Sequence, residues 1–351
     1  MINFKELKLK YDNKNMFDAI LSFPNQIKFS LDYMRDWQPK NEYNHIETIL
    51  ISGMGGSAIG GDFVASLCNQ YCNIPIIVNR SYEIPNWVNK NTLIISSSYS
   101  GNTDETLNAL NLAIEKSATV VAVTTGGKLL KVAKNNLFDF IKVTPGYQPR
   151  AALGFSIALN LLLLEKIKLI PKNLMTNLLK NSLNKLTELS LIYSDYSNTN
   201  NAIEFSKKIY NKFPVIYASE GWQANCAFRM RGQLAENAKI LSSHLSFPEQ
   251  NHNEIEGWNN NKILKETVIC WIMDNSDHPQ VEKRMQITKE LLSKYPINHL
   301  ILRLECDSNI ERALCMIHLI DWISFYCALL NNIDPTPVVR ITELKNRLSD
   351  E

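Results

Sequence analysis

The sequence predicts an α/β protein with two doubly wound parallel-sheet subdomains and flanking helices. Between residues 46 and 143, short apolar runs alternate with stretches whose apolar residues recur at helical spacing. A second alternation of the same kind begins near residue 213. Short apolar strands that alternate with helices are typical of a parallel sheet covered on both faces. Two separate alternations therefore predict two sheets.

The first alternation follows an N-terminal helical segment. Residues 13–37 predict two short helices, and the strand–helix pattern starts at Ile46. Thr103 stands where it can cap the helix that follows the serine-rich stretch, with acidic residues in the first turn. The predicted strands are 46–52, 74–79, 92–97, 119–124 and 138–143, and the predicted helices between them are 57–69, 103–117 and 128–136.

A turn and two helical blocks separate the alternations. The sequence PGYQPR at 145–150 breaks the pattern with two prolines and a glycine. Helices are predicted over 151–167 and 172–193, and SDYSNTNN at 194–201 is the most linker-like stretch. We therefore expect four parts, which are an N-terminal helical segment (1–45), a first α/β domain (46–150), a helical connection (151–200) and a second α/β domain (201–351).

The second alternation ends in a separate helix. Its predicted strands are 213–218, 267–273 and 297–304, and its predicted helices are 222–240, 278–294 and 308–331. A last helix is predicted to start near Pro337, with Thr336 as its N-cap. Its residues Ile341, Leu344 and Leu348 recur at helical spacing, and we expect them to point inward.

Composition and charge exclude several functional classes. The 351 residues carry a formal net charge of +2 and no basic stripe with aromatic residues, which argues against nucleic acid or a membrane surface as a partner. The seven cysteines show no regular spacing, which indicates reduced thiols. The N-terminus lacks the apolar core of a signal peptide, and no uncharged run reaches the ~18–20 residues that a membrane span requires. We therefore expect a cytoplasmic location.

Two turns rich in glycine and hydroxyl residues are the most informative feature of the chain. Each follows a predicted strand and leads into a predicted helix. Such a turn presents backbone N–H groups and hydroxyls at a positive helix end, where a phosphate binds readily. The alternative is ordinary helix capping and turn chemistry. The candidate phosphate ligands are Gly55, Gly56 and Ser57 in the first turn and Ser98, Ser100 and Thr103 in the second.

These turns differ from nucleotide-binding loops. Neither contains a lysine, so neither is a nucleotide P-loop. A dinucleotide-binding site is only weakly indicated, because no acidic residue clearly ends the strand that precedes Arg80. The corresponding stretch of the second half, SEGWQANC after 213–218, lacks both serine-rich patterns. We therefore expect one phosphate site per chain, in the first half.

The second turn and four longer segments resemble known families. SYSGNTDET at 98–106 is similar to the phosphate loop of the sugar isomerase (SIS) domain. The chain as a whole resembles the bifunctional phosphoglucose/phosphomannose isomerase family, which implies two SIS-type, Rossmann-like subdomains. The segments that carry this resemblance are GMGGSAIGGD (53–62), PGYQPRAALGFS (145–156), ENAKILSSHLSFPEQNHNEIEGW (236–258) and DPTPVVRITELK (334–345).

The resemblance implies an aldose–ketose isomerase that interconverts glucose 6-phosphate and mannose 6-phosphate with fructose 6-phosphate. The proton moves between C1 and C2 through an enediolate, and a single carboxylate can remove it and return it. Glu236, in the segment ENAK, matches the catalytic glutamate of the family. Without the resemblance, a glutamate on a helix would be a solvated surface residue.

Three further residues match catalytic positions of the family. His252 matches the histidine that opens the sugar ring, since a histidine can protonate the ring oxygen near neutral pH; His244 is the alternative. Lys345 matches a lysine that assists ring opening, although a lysine there can also reach solvent. Arg150 matches an arginine that neutralises the enediolate; its structural alternative is a surface arginine that caps a loop.

Some alternatives remain open. The cluster His244, Glu249, His252, Glu254 and Glu256 suggests a metal, but its spacing fits no common zinc pattern, and the resemblance implies that neither a metal nor another cofactor is needed. The resemblance also implies a homodimer with a shared active site, to which the partner contributes His252, and a cleft between the two halves. Rival functions are a sugar-phosphate sensor, which needs no base, and an isomerase of another phosphosugar.

Overall fold

The computed structural model describes residues 2–196, 200–259 and 262–349. The chain divides into two compact units. The first unit comprises Ser22–Thr187 and Cys306–Leu314, and the second unit comprises Met1–Leu21, Glu188–Glu305 and Cys315–Glu351. The linker-like stretch 194–201 lies partly outside the described residues, because 197–199 are not among them.

The N-terminal segment is helical, as predicted, and has one helix more than expected. α1 (Phe4–Tyr11) precedes the two predicted helices, α2 (Met16–Leu21) and α3 (Phe23–Asp36). The side chain of Asn3 caps α1 by accepting a hydrogen bond from the N–H of Glu6. Only Phe4 of this eight-residue helix is buried and half of its residues are charged, so the sequence pattern did not indicate a helix here.

The first unit contains a five-stranded parallel sheet. Its strands are β1 (Thr48–Ser52), β2 (Ile76–Asn79), β3 (Thr92–Ser98), β4 (Thr119–Thr124) and β5 (Asp139–Lys142), in the order β2-β1-β3-β4-β5. The helices between them are α4 (Gly55–Cys68), α5 (Asp104–Glu115) and α6 (Gly127–Asn135). Every residue of β3 is buried, which explains why its sequence is a continuous apolar and small-residue run.

Helix α7 (Leu153–Lys166) belongs to the core of the first unit and packs against α3 and α4. The Gln26 side chain of α3 donates a hydrogen bond to the Ala151 carbonyl oxygen at 2.7 Å, just before α7 begins. Gly154 allows this close packing, because a Cβ there would lie 2.8 Å from the Gln26 side-chain oxygen. α8 (Leu174–Ser194) follows α7 along the chain.

The second unit contains a four-stranded parallel sheet. In chain order its elements are α9 (Asn201–Ile209), β6 (Phe213–Ser219), α10 (Trp222–Gln233), β7 (Ser243–Phe247), β8 (Thr267–Ile272), α11 (Pro279–Leu292) and β9 (Asn298–Leu302). They are followed by α12 (Asn309–Leu330) and α13 (Val339–Ser349). The strand order is β7-β6-β8-β9, and all pairs are parallel. The two doubly wound parallel sheets that the sequence predicts are therefore present.

α12, with 22 residues, is a long and apolar helix. Among the described residues it is the one helix that is long and apolar enough to cross a membrane, and its apolar window is entirely buried inside the protein. Its length and hydropathy are therefore those of a helix that forms part of the protein core.

Three details of the second half differ from the prediction. The sequence pattern missed β7, an edge strand that is mostly half-buried. The predicted helix 222–240 ends at Gln233, and a π-helical turn follows over Leu234–Ala238. The last helix begins at Val339, so Thr336 is not its N-cap, and the prediction that its apolar face points inward is wrong, because Ile341, Leu344 and Leu348 are exposed.

Candidate active site

The first candidate phosphate turn joins β1 to α4. Gly55 has φ +50° at the start of the helix, a conformation that glycine adopts without strain. A Cβ on Gly53 would lie 2.8 Å from the Ser97 carbonyl oxygen, and one on Gly56 would lie 2.8 Å from the Pro149 carbonyl oxygen. The glycines therefore allow this turn to approach β3 and the turn that carries Arg150.

The second turn, from Ser98 to Thr103, is held by its own hydroxyl groups. Ser98 and Thr103 share a hydrogen bond of 2.8 Å between their hydroxyls, and the Gly101 N–H donates to the Ser98 hydroxyl at 3.1 Å. Thr103 occupies the N-cap position of α5, as predicted, but its hydroxyl bonds to Ser98 instead of capping the helix. At the described N-cap residues of α4 and α5, no side chain caps the first N–H groups. Both helix starts therefore present donors suited to an anion.

The two turns meet at a small cavity. It has a volume of about 20 Å³ and is bordered by Gly56 and Ser57 of the first turn, Tyr99 of the second, and Pro149. Ser156 of α7 also borders it, and within the described residues its buried hydroxyl has no hydrogen-bond partner. The two turns therefore lie close together at one edge of the first sheet.

Arg150 lies in a 3-10 turn, Pro149–Ala151, beside the first candidate turn, and only 5% of its surface is exposed. The Tyr99 hydroxyl fixes the approach to this turn. It donates to the Thr144 carbonyl oxygen at 2.9 Å and accepts from the Tyr147 N–H at 3.0 Å. Burial raises the pKa of Tyr99, which keeps its hydroxyl protonated as a donor. Sequence reasoning did not assign a role to Tyr99, although the residue lies inside the serine motif.

Glu236 is half-buried in the π-helical turn that follows α10. A cavity of about 510 Å³ lies beside it, lined mainly by apolar side chains from residues 235–241 and the start of α13. Lys239, which sequence reasoning did not single out, closes the turn in the left-handed conformation. Its ammonium donates to the carbonyl oxygens of Glu236 at 2.5 Å and Pro337 at 2.7 Å.

His252 is exposed at the end of a short 3-10 turn, Glu249–His252. The buried Tyr217 hydroxyl anchors the surrounding segment, since it accepts from Gln250 at 3.2 Å and Trp258 at 2.9 Å and donates to Glu254. This anchoring holds the His252 turn against the second sheet.

The alternative histidine, His244, lies on β7. Its ring stacks on Phe228 with the ring centroids 5.3 Å apart, and burial, followed by the charge of Arg231, lowers its pKa. A lowered pKa leaves less of His244 protonated near neutral pH, so less of it can donate a proton for ring opening. In the described part of the chain, no three His, Cys, Asp or Glu side chains form a group that can hold a metal ion.

Lys345 is exposed on α13. The structure places the candidate residues in two groups, one in each unit. The first unit holds Gly55, Gly56, Ser57, Ser98, Ser100, Thr103 and Arg150, and the second unit holds Glu236, His252 and Lys345.

Comparisons with known proteins identify the family. Residues 198–348 match the family model described as bacterial phospho-glucose isomerase C-terminal SIS domain. The chain is 37% identical over 338 residues to the bifunctional phosphoglucose/phosphomannose isomerase of Caldicellulosiruptor bescii, which covers 95% of this chain and 99% of that protein. This chain belongs to the bifunctional phosphoglucose/phosphomannose isomerase family. The family member from Aquifex aeolicus is 32% identical over 338 residues, with 95% and 98% coverage.

Solved structures agree on the fold. The C-terminal domain of glucosamine-fructose-6-phosphate aminotransferase from Francisella tularensis superposes with a TM-score of 0.69 at 14% identity, covering 92% of this chain and 98% of that one. Such low identity supports the fold alone. Membership of the phosphoglucose/phosphomannose isomerase family confirms the predicted SIS-type fold and the prediction that the protein is an isomerase. The roles of single residues stay predictions.

Proposed function

We propose that this isomerase interconverts glucose 6-phosphate and mannose 6-phosphate with fructose 6-phosphate. The observation that carries the proposal is the meeting of two glycine- and hydroxyl-lined turns with the Arg150 turn, in a chain of this family. Helix N-termini and hydroxyls bind a phosphate by hydrogen bonds and partial charge, without a lysine. The first unit therefore supplies the phosphate site of the proposed reaction.

One base can serve both aldoses, because glucose and mannose 6-phosphates differ only at C2. That carbon loses its proton when the enediolate forms, so both sugars pass through the same intermediate. Glu236 is the proposed base that moves the proton between C2 and C1. Its half-buried position beside a cavity of about 510 Å³ supports this role, since a sugar can reach the carboxylate there.

The remaining roles follow the family pattern. His252 and Lys345 open the sugar ring before proton transfer, and both side chains are exposed and so accessible to a ligand. Arg150 neutralises the enediolate oxygen, where negative charge develops in the transition state. Its burial at 5% exposure supports this role, because a charge acts more strongly away from water.

We also propose that two copies of the chain form a dimer and that the partner copy completes each site. Helix α13 supports this arrangement, because its apolar residues Val339, Ile341, Leu344 and Leu348 are all exposed in the single chain. An isolated helix of 11 residues is marginal in water, and a second copy would bury this apolar surface. A cytoplasmic location fits the seven cysteines, whose irregular spacing does not indicate a disulfide framework.

Replacement of the proposed base tests the function. Glu236→Gln keeps the shape of the side chain and removes its basicity, so we expect kcat to fall by about 10²-fold or more while fructose 6-phosphate still binds. Coupled assays, run with and without EDTA, measure the turnover of fructose 6-phosphate to both aldose phosphates. Calorimetry measures the binding of fructose 6-phosphate.

Glu290→Gln, on the exposed face of α11, is the matched control and should behave as the unmodified protein. Retained turnover in Glu236→Gln would show that another residue is the base. Binding without turnover in the unmodified protein would favour the sensor, and turnover lost in EDTA would favour a metal.

Mixing two inactive variants tests the shared site. If the partner supplies His252, a mixed dimer of Glu236→Gln and His252→Ala has one site with both residues intact, and we expect the mixture to regain activity that neither variant has alone. Different affinity tags on the two variants, followed by purification over both tags in turn, verify that mixed dimers form. No recovery in verified mixed dimers would place Glu236 and His252 of one site on the same chain.

A further inference from the structure

The π-helical turn at Glu236 needs an explanation beyond local helix propensity. In this turn the Lys239 N–H bonds to the Leu234 carbonyl oxygen, one residue further back than in an α-helix. One extra residue in a helix rotates all that follows by about 100°. π-helical turns are rare in proteins overall, but those that occur often lie at functional sites. The surrounding structure must therefore favour this geometry.

Helix α12 supplies buried hydrogen bonds on both sides of Glu236. Before it, the Gln233 side chain donates to a carboxylate oxygen of Asp321 at 2.8 Å. Immediately after it, the Asn237 side chain donates to the Ser324 hydroxyl at 2.9 Å. Gln233, Asn237, Asp321 and Ser324 are each no more than 3% exposed. Water therefore competes little for these bonds.

Two further contacts fix Asp321, which anchors the π-helical turn, and the end of that turn. Arg229 of α10 makes a two-pronged ion pair with Asp321, at 3.1 Å from Nε and 2.8 Å from Nη2. Asn331, just beyond α12, donates to the Ala238 carbonyl oxygen at 3.0 Å. Asp321 and Ser324 are one helical turn apart, so they present their polar groups on the same face of α12.

We infer that Asp321 and Ser324 of α12 are positioning residues that hold the Glu236 turn in its π-helical geometry and so aim the Glu236 carboxylate. The inference rests on the proposed function, because it assumes that Glu236 is the base. The residues flanking Glu236 are tied to α12, whereas Glu236 itself borders the cavity of about 510 Å³. Lys239 adds a second tie on the solvent side, through the carbonyl oxygens of Glu236 and Pro337.

The physical consequence is a specific kinetic effect. A base must lie within hydrogen-bond reach of the carbon-bound proton, and an error of about 1 Å can cost 10²-fold in rate. A loosened turn would change the distance between the carboxylate and the sugar, but it would leave the phosphate turns of the first unit unchanged. Loss of the contacts that Asp321 or Ser324 makes with the turn should therefore lower kcat far more than it changes KM.

Ser324→Ala tests the inference, because it removes one hydroxyl and leaves the helix intact. We expect kcat to fall about tenfold or more while KM for fructose 6-phosphate stays within about twofold. Ser190→Ala is the matched control. It removes a buried hydroxyl that also bonds to α12, at His318 (2.7 Å), away from the Glu236 turn, and kcat should be unchanged. Thermal melting of both variants separates a kinetic effect from a general loss of stability.

A second variant keeps the test decisive if Ser324→Ala does not fold. Lys239→Met removes the solvent-side tie at an exposed position, and we expect kcat to fall by about threefold or more with little change in KM. Equal kcat in the Ser324 and Lys239 variants and the Ser190 control would overturn the positioning role. If Glu236→Gln itself stays active, the proposed base is wrong, and that outcome is distinct from a failed anchor.

Discussion

The carboxyl ends of the two sheets differ in what their polar groups bind. In the first sheet, the turn after β3 carries hydroxyls that bond to one another, Ser98 to Thr103 at 2.8 Å. Within the described residues, no acidic side chain accepts a hydrogen bond from these two hydroxyls. The adjoining turn after β1 consists of Gly53, Met54, Gly55, Gly56 and Ser57. Asp104 and Glu105 follow in the first turn of α5, but Ser98 and Thr103 bond to each other and not to these carboxylates.

In the second sheet, the turn after β8 occupies the matching position, because β8 neighbours β6 as β3 neighbours β1. There the Asp277 carboxylate accepts hydrogen bonds from the Ser219 hydroxyl, from the Gln223 side chain at 3.0 Å and from the Asp274 N–H at 2.8 Å. Burial raises the pKa of Asp277. The donors at this edge are already used by an acidic group of the chain.

This contrast gives a physical reason to expect that one fold used twice has a single phosphate site per chain, as proposed for the first unit. A second anion at the edge of the second sheet would meet the Asp277 charge at close range, and it would find the donors occupied. In the first sheet the Ser98 and Thr103 hydroxyls bond to each other and not to a carboxylate. The comparison therefore supports the proposal that the substrate phosphate binds to the first unit, and variants at either edge can test it.

The largest effect is expected at Gly101. This glycine has φ +70°, and a Cβ there would lie 1.9 Å from the Gly126 carbonyl oxygen, so Gly101→Ala must displace the serine turn. We expect KM for fructose 6-phosphate to rise about tenfold or more, because the displaced hydroxyls no longer meet the phosphate. Steady-state kinetics measures the change.

Gly232→Ala in α10 of the second unit is the control, since nothing lies within 4 Å of its Cβ position and alanine is a better helix former. It should leave KM unchanged. A normal KM in a folded Gly101→Ala variant would break the comparison, because the serine turn would then not be where the phosphate binds.

The fold was largely predictable because most strands are continuous buried runs. β1, β3, β4, β6 and β8 agree with the predicted strands within about two residues. β7 was missed because it is an edge strand with one neighbour, and it alternates half-buried polar and apolar residues without a clear apolar run. Periodicity also predicted α13, but not what covers it, because spacing shows only that its apolar residues share a face.

The local geometry of the candidate site was predictable where a short motif forms its own turn. Ser98, Gly101 and Thr103 lie within six residues and bond to one another, so the motif indicates the turn directly. The contacts of Tyr99 with Thr144 and Tyr147, and of Asn237 with Ser324, join residues far apart in the sequence. No local pattern predicts such pairs, since they depend on how the elements pack.

The sharpest test of phosphate binding at the first sheet is the affinity for an unreactive open-chain hexitol 6-phosphate, measured by calorimetry in Ser98→Ala and Ser219→Ala. The two serines end strands of the two sheets, and each substitution removes one hydroxyl. We expect the dissociation constant to rise about fivefold or more in Ser98→Ala, which loses a hydroxyl at the phosphate, and to change by less than about twofold in Ser219→Ala, whose hydroxyl serves Asp277. Equal affinities, or a larger loss in Ser219→Ala, would contradict the account.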